Sequence, residues 1–214
     1  MLFSILLAYQ AAVSAEGPLS PIADNADLPR VLIIGDSISI GYTSPVRLLL
    51  QEEANIHRPA TNCAMTRKGL EQLDKWLGDE PWDVIHFNWG LHDLKFINGE
   101  RQIPLDKYRE NLEALVDQLS ETGATLVWCS TTPVPTGVRP PRTNDDVLAY
   151  NGAALEIMES HEILVDDLYT FAAERLDDIQ QPNNVHFSPE GSQILAEQVA
   201  RSIQEALRQR SEEQ

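Results

Sequence analysis

A chain of 214 residues, 43% hydrophobic and 23% charged, holds enough apolar material for one domain with a sizeable core and does not have a disordered composition. Its formal net charge of −17 opposes association with phosphate backbones and anionic lipid, which excludes nucleic acid as the favoured partner. The same charge serves solubility and leaves neutral acylated small molecules or polysaccharides open as substrates; oligomeric state is not encoded at this level.

In chain order, Leu2-Phe3-Ser4-Ile5-Leu6-Leu7-Ala8 is a short apolar run, followed by small residues over Ala12-Val13-Ser14-Ala15. Residues 1–15 read as a cleaved signal peptide, which would place the protein outside the cell or in a periplasm. No Lys or Arg precedes the run, so an N-terminal extension of a cytoplasmic protein is the alternative. The run is too short to span a bilayer, and no integral membrane segment is expected. Residues 16–29 read as a linker, 30–208 as the domain and 209–214 as a tail.

Val31–Gly35 reads as a buried strand. Thr43–Glu53 reads as a helix and Ala54–Pro59 as a second strand. Gly69–Leu77 is helical, with Leu70, Leu73, Trp76 and Leu77 on one face. Trp82–Trp89 is the third strand. Leu105–Thr122 is a long amphipathic helix ended by Gly123, and Thr125–Cys129 the fourth strand. Residues 133–145, with four prolines, form a loop. Asp146–His161 is a helix, Ile163–Leu168 the fifth strand and Ser188–Gln209 the closing helix. Strands alternating with helices imply parallel units with right-handed crossovers, and ligands then bind at the strands' C-terminal ends. The Ser37 turn, the Asn62 region, the Gly90 turn and the 130–145 loop all leave such ends. Cys63 and Cys129 fall on different elements and are expected to be free, partly buried thiols.

Two segments carry chemistry. Gly35-Asp36-Ser37 follows the first apolar strand, so Ser37 is presented at the sheet edge. Val185-His186-Phe187-Ser188-Pro189-Glu190 precedes the last helix, with Ser188 as its N-cap and Pro189 at its first position, which pins His186 to a rigid element. A hydroxyl nucleophile and a neutral base are the two parts a serine hydrolase needs. Ser37 reads as the nucleophile, His186 as the base and Asp36 as a residue that holds the turn. No His, Asp or Glu set has metal spacing. His86 reads as a core histidine; Trp89 reads as core packing or, failing that, a sugar platform. Arg139 and Arg142 stand on the proline-rich loop and could overhang the cleft, and Arg67 and Lys68 could favour an anionic substrate.

Gly35-Asp36-Ser37-Ile38, Asn62, Gly90-Leu91-His92-Asp93 and the late His186 resemble the blocks of the SGNH/GDSL hydrolase superfamily, from about residue 30 to 208. The resemblance implies an α/β fold, a flavodoxin-like three-layer α/β/α sandwich on a five-stranded parallel sheet. It also implies ester hydrolysis, including that of acetyl groups on polysaccharides, without metal or other cofactor. In that family the oxyanion hole comes from the serine N–H, a glycine N–H in the second block and an asparagine side chain in the third. Here Ala64 stands at the glycine position and His92 at the asparagine position, with Asn88 as the alternative donor and Gly90 lining the site. The family's aspartate, three residues before the histidine, is Asn183 here; Asp93 and Asp166 are the other carboxylates that could orient His186. Three functions compete: a carbohydrate O-acetylesterase, a lipid-directed esterase or lysophospholipase, and a weakly active glycan-binding descendant of the fold.

Overall fold

The computed structural model of the chain describes residues 17–212, so the expected signal peptide over 1–15 lies outside the described residues. The elements run β1 (Arg30–Ile34), α1 (Ser37–Leu49), β2 (Asn55–His57), α2 (Thr66–Leu77), β3 (Val84–Phe87), β4 (Phe96–Ile97), β5 (Glu100–Arg101), α3 (Leu105–Ser120) and β6 (Thr125–Cys129). They continue with α4 (Asn144–Ser160), β7 (Leu164–Asp166), the short helices α5 (Leu168–Ala173) and α6 (Leu176–Ile179), and α7 (Pro189–Glu212). Five strands form one parallel sheet in the order β2-β1-β3-β6-β7, with Val31 opposite Val84 and Val84 opposite Thr125. This is the expected α/β sandwich.

Strand alternation builds the two faces. Leu32 and Ile34 of β1, Ile85 and Phe87 of β3 and Leu126 and Trp128 of β6 face one core, closed by Leu73 of α2, Leu112 and Leu115 of α3 and Tyr150 of α4. Val31 and Ile33, Val84, and Val127 and Cys129 face the other, closed by Tyr42 and Val46 of α1 and Leu195, Val199 and Ile203 of α7. A parallel sheet covered on both sides needs such near-continuous apolar strands.

Helix α1 begins at Ser37 rather than at Thr43, and Pro45 lies inside it. Ser37-Ile38-Ser39-Ile40-Gly41 has little apolar periodicity, but the Asp36 carboxylate caps the helix by accepting from the Ile38 N–H at 2.9 Å. The apolar pattern therefore marks where α1 buries its face, not where it starts. Helix α2 likewise starts early, at Thr66. The β4–β5 hairpin turns through Asn98 and Gly99, both at positive φ (53° and 89°), a conformation this residue pair takes readily. The element carrying Ser37 and the element following His186 pack side by side, and this joins positions 149 residues apart. A small residue lets them close: a Cβ on Gly41 would sit 3.1 Å from the Ser192 hydroxyl, while at the start of α7 a Cβ on Gly191 would sit 2.2 Å from the Ile179 carbonyl oxygen at the end of α6. No helix among the described residues is long and apolar enough to cross a membrane.

Candidate active site

Ser37 is the first residue of α1, directly beyond the β1 edge, so its N–H belongs to the first turn and has no intrahelical acceptor. His186 sits in a tight return between α6 and α7. Gln180 bridges Phe187, the Gln181 N–H donates to the His186 carbonyl, and Ser188 caps α7 by accepting from the Gly191 N–H at 2.9 Å. His186 Nε2 lies 2.9 Å from Ser37 Oγ.

The other ring nitrogen faces Asn184, not the Asn183 expected to orient it. His186 Nδ1 lies 2.8 Å from Asn184 Oδ1, which also accepts from the His186 backbone N–H at 3.1 Å. The Asn184 amide is held the right way round because its Nδ2 donates to Gln181 Oε1 at 3.0 Å. An amide oxygen only accepts, so Nδ1 carries the ring proton and the Nε2 lone pair faces the serine hydroxyl. Asn183 takes a left-handed backbone conformation (φ 54°) and turns its side chain toward Gly137 across the cleft. The correction has a local cause: the side chain that bonds the N–H two residues on is the one that reaches the ring. The two alternative carboxylates are also occupied elsewhere. Asp166 Oδ2 lies 3.0 Å from His86 Nε2, and Asp93 accepts from the Thr66 N–H and hydroxyl. Burial pushes Asp93 up to about 7.

His92 lines the same cleft as Ser37 and His186. Lys95 Nζ lies 2.8 Å from His92 Nδ1. An ammonium only donates, so Nδ1 is the bare nitrogen and Nε2–H is the ring's donor. Burial, then the positive charges of Lys95 and Arg142, drive the His92 pKa down to about 3, so the ring is neutral at ordinary pH. Its Nε2 lies 3.9 Å from Asp36 Oδ2.

The Asn88 Nδ2 donates to the Cys129 carbonyl (2.7 Å) and Thr131 Oγ1 (3.1 Å), tying the ends of β3 and β6 together and leaving it no hydrogen to offer an oxyanion in this arrangement. Ala64 has the positive φ (54°) that favours the glycine of the family pattern, but its N–H already donates to Asn62 Oδ1 at 2.9 Å. Asn62 lines the cleft and, with its oxygen so engaged, has its Nδ2 as the remaining donor. Gly90 (φ 149°) does not line the cleft; a Cβ there would meet Thr131 Oγ1 at 2.4 Å, so its role is to let two strand ends approach. Trp89 is 1% exposed and packs against Gly69, which rules out the sugar-platform reading. Cys63 and Cys129 are free and both fully buried.

Two features were not read from the sequence. Arg58 is buried and distributes its donors over Ser39 Oγ, Thr43 Oγ1 and the carbonyls of Gly35, Pro59 and Thr61, clamping the Ser37 turn to the Asn62 loop. Nothing in the chain distinguishes it from a surface arginine. In the core, the fold brings ligand atoms of His86, Cys129 and Asp166 within 4.8 Å of one another, although their spacing along the chain carries no metal signature.

The arrangement is a cleft of about 500 Å³ in which a hydroxyl faces a base of the right tautomer beside a neutral imidazole donor. It can run acyl transfer. The family model of the GDSL-like lipase/acylhydrolase family matches residues 33–194. A GDSL esterase/lipase of Arabidopsis thaliana is 24% identical over 210 residues, covering 82% of this chain and 86% of its own. The crystal structure of a lipase/acylhydrolase from Enterococcus faecalis superposes with a TM-score of 0.70 at 24% identity, covering 82% of this chain and 95% of that one. An acetylxylan esterase from Geobacillus stearothermophilus also gives 0.70, at 20% identity, covering 82% and 94%. The chain belongs to the GDSL-like lipase/acylhydrolase family and is a carboxylic ester hydrolase.

Proposed function

We propose that this protein removes short acyl groups, acetyl above all, from carbohydrate hydroxyls through an acyl-enzyme on Ser37. The observation that carries the mechanism is the Ser37 Oγ to His186 Nε2 contact of 2.9 Å with Nδ1 held by Asn184. Ser37 Oγ attacks the acyl carbon while its proton passes to Nε2. The tetrahedral oxyanion takes hydrogen bonds from the Ser37 N–H and the His92 Nε2–H. As the ester C–O bond breaks, Nε2 returns the proton to the leaving sugar oxygen. Water then repeats the sequence on the acyl-serine, releasing the acid and the free serine.

The acetyl preference is supported by the lining of the cleft: Asn62, His92, Lys95, Asn183 and Asn184 are polar, and the loop that overhangs it is rich in proline and arginine. A lipid chain would need a broader apolar wall than Val138, Pro140 and Val185, the apolar side chains that also line the cleft. The acetylxylan esterase neighbour is consistent with an acetylated polysaccharide as substrate. A p-nitrophenyl ester series tests it. kcat/KM should fall from acetate to octanoate, and acetate should be released from an acetylated polysaccharide; the opposite chain-length order would make the enzyme lipid-directed.

A second expectation concerns the oxyanion. His92→Ala should lower kcat by roughly 10²–10³ with little change in KM, the cost of one preorganised donor. Lys95→Met, which leaves the ring but frees its tautomer, should cost about ten-fold in kcat by the same logic. A loss confined to KM in His92→Ala would make His92 a substrate-binding residue instead.

A further inference from the structure

The cleft has the wrong charge for its protein. The chain carries 33 acidic residues against 16 basic ones, yet the residues lining the cleft include Lys95, Arg139 and Arg142 and no Asp or Glu. Several arginines elsewhere meet carboxylates, among them Arg30 with Asp24, Arg109 with Glu156 and Arg210 with Asp83. Among the described residues none of the three cleft cations forms an ion pair. The nearest acids, Asp36 and Asp93, are buried and bound to the N–H groups of Ile38 and Thr66.

Two of the cations, Lys95 and Arg142, are also positioned. Arg142 donates Nε to the Leu91 carbonyl at 2.9 Å, which leaves the two terminal nitrogens of its fork without a protein partner among the described residues. The loop bearing both arginines contains Pro140 and Pro141 and is fastened where the Phe96 N–H donates to the Pro141 carbonyl at 2.9 Å. Lys95 is half-buried against His92, and burial together with the charge of Arg142 holds its pKa below the usual lysine value. Asp36 and Asp93, buried beneath the cleft, offset Lys95 and Arg142 only from a distance and form no ion pair with them, so the terminal nitrogens of Arg142 and the exposed Arg139 stay available to an anion that arrives from outside.

We infer that the cleft seats an acylated sugar bearing an anionic group, a ring carboxylate or a sulfate ester, with Arg139 and Arg142 as its charge partners beside Ser37. This rests on the esterase reading above and narrows its substrate class. Overall negative charge would slow the approach of such a ligand, so the recognition is local: the arginine forks offer paired donors, and Asn62 and Asn183 offer polar contacts to sugar hydroxyls.

The test uses methyl 3-O-acetylglucosides that differ only at C6, carrying hydroxymethyl, carboxylate or sulfate. The charged forms should exceed the neutral one in kcat/KM by about ten-fold or more at low salt, and the ratio should shrink between about 0.02 M and 0.5 M salt. Which charged form leads identifies the source of the charge. The Arg139 side chain is exposed and makes no hydrogen bond to the described fold, so Arg139→Glu tests the charge without threatening folding. It should lower the charged-to-neutral ratio about ten-fold. Binding of the unacylated methyl glucuronoside and methyl glucoside to the Ser37→Ala protein, followed by NMR titration, provides a readout independent of catalysis. Tighter binding of the glucuronoside, weakened by Arg139→Glu, supports the subsite even if no sugar acetate is hydrolysed, a result that would sink only the carbohydrate-acetate reading. Hydrolysis of all three sugars at equal rates, with a ratio insensitive to salt and to Arg139→Glu, overturns the inference and leaves the esterase intact.

Discussion

Ser37→Ala should abolish turnover of p-nitrophenyl acetate, lowering kcat by roughly 10⁴ or more, and should abolish labelling by a fluorophosphonate probe. The reason is geometric. Ser37 Oγ is the hydroxyl that faces a bare imidazole nitrogen, at 2.9 Å, on the wall of the cleft. His186→Ala should cost nearly as much, because the two act as one unit, and the double variant should be little worse than either single one. Mass spectrometry of the labelled protein should find the adduct on Ser37. An adduct on another residue, or undiminished turnover in Ser37→Ala, would end the proposed mechanism. Neither variant should unfold the protein: Ser37 caps nothing, since the Asp36 carboxylate caps α1, and the return bearing His186 is held by backbone and glutamine contacts that do not involve the ring.

How far the sequence carries the fold depends on which interaction controls each feature. The five sheet strands and the large helices are legible because burial on two faces demands long apolar runs, and those runs are present in β1, β3 and β6. Thr125–Cys129 is the strand expected, residue for residue. Element ends are set by single polar contacts instead, and these leave weaker traces. The Asp36 cap moves the start of α1 six residues upstream of its apolar pattern. The hairpin turning at Asn98 and Gly99 is absent from the sequence reading, because the strands it joins are two residues each and carry no periodic signal.

The site divides in the same way. Ser37 and His186 are legible because each stands at a junction of strongly patterned elements. The donors around them are not, because which N–H is free depends on contacts made across the fold. Asn88 is a plausible donor in the sequence and is fully engaged by Cys129 and Thr131 in the structure. Ala64 holds the expected backbone conformation, yet its N–H is taken by a side chain two residues away. His92 is a defined donor only because Lys95, three residues on across a non-helical turn, occupies its other nitrogen.

The largest gain expected from any substitution lies at Asn184. Its Oδ1 accepts from His186 Nδ1–H at 2.8 Å, so the ring already has the tautomer that serine activation requires. What the amide cannot supply is charge. When Nε2 takes the serine proton the ring becomes an imidazolium, and a neutral oxygen steadies it less than a carboxylate would. Replacing Asp by Asn in a serine protease costs about 10⁴ in kcat, much of it through the wrong tautomer; here the tautomer is right, so a smaller deficit remains to be recovered. Asn184→Asp should raise kcat by about ten-fold, the difference between a neutral and a charge-assisted hydrogen bond of roughly 1–1.5 kcal/mol. The gain should be largest for alkyl and sugar leaving groups, whose departure needs the proton, and smallest for p-nitrophenol, whose departure does not. A merely structural role for Asn184 would show no such dependence on the leaving group. Asn184→Ala should lower kcat by roughly ten- to a hundred-fold, since the ring then loses both its orientation and its tautomer control. Asn183, which turns toward Gly137 instead, should respond in KM with kcat little changed. If Asn183→Asp gave the acceleration and Asn184→Asp did not, the ring would have to be oriented from the other asparagine, and the contact at 2.8 Å would not be the one that operates during turnover.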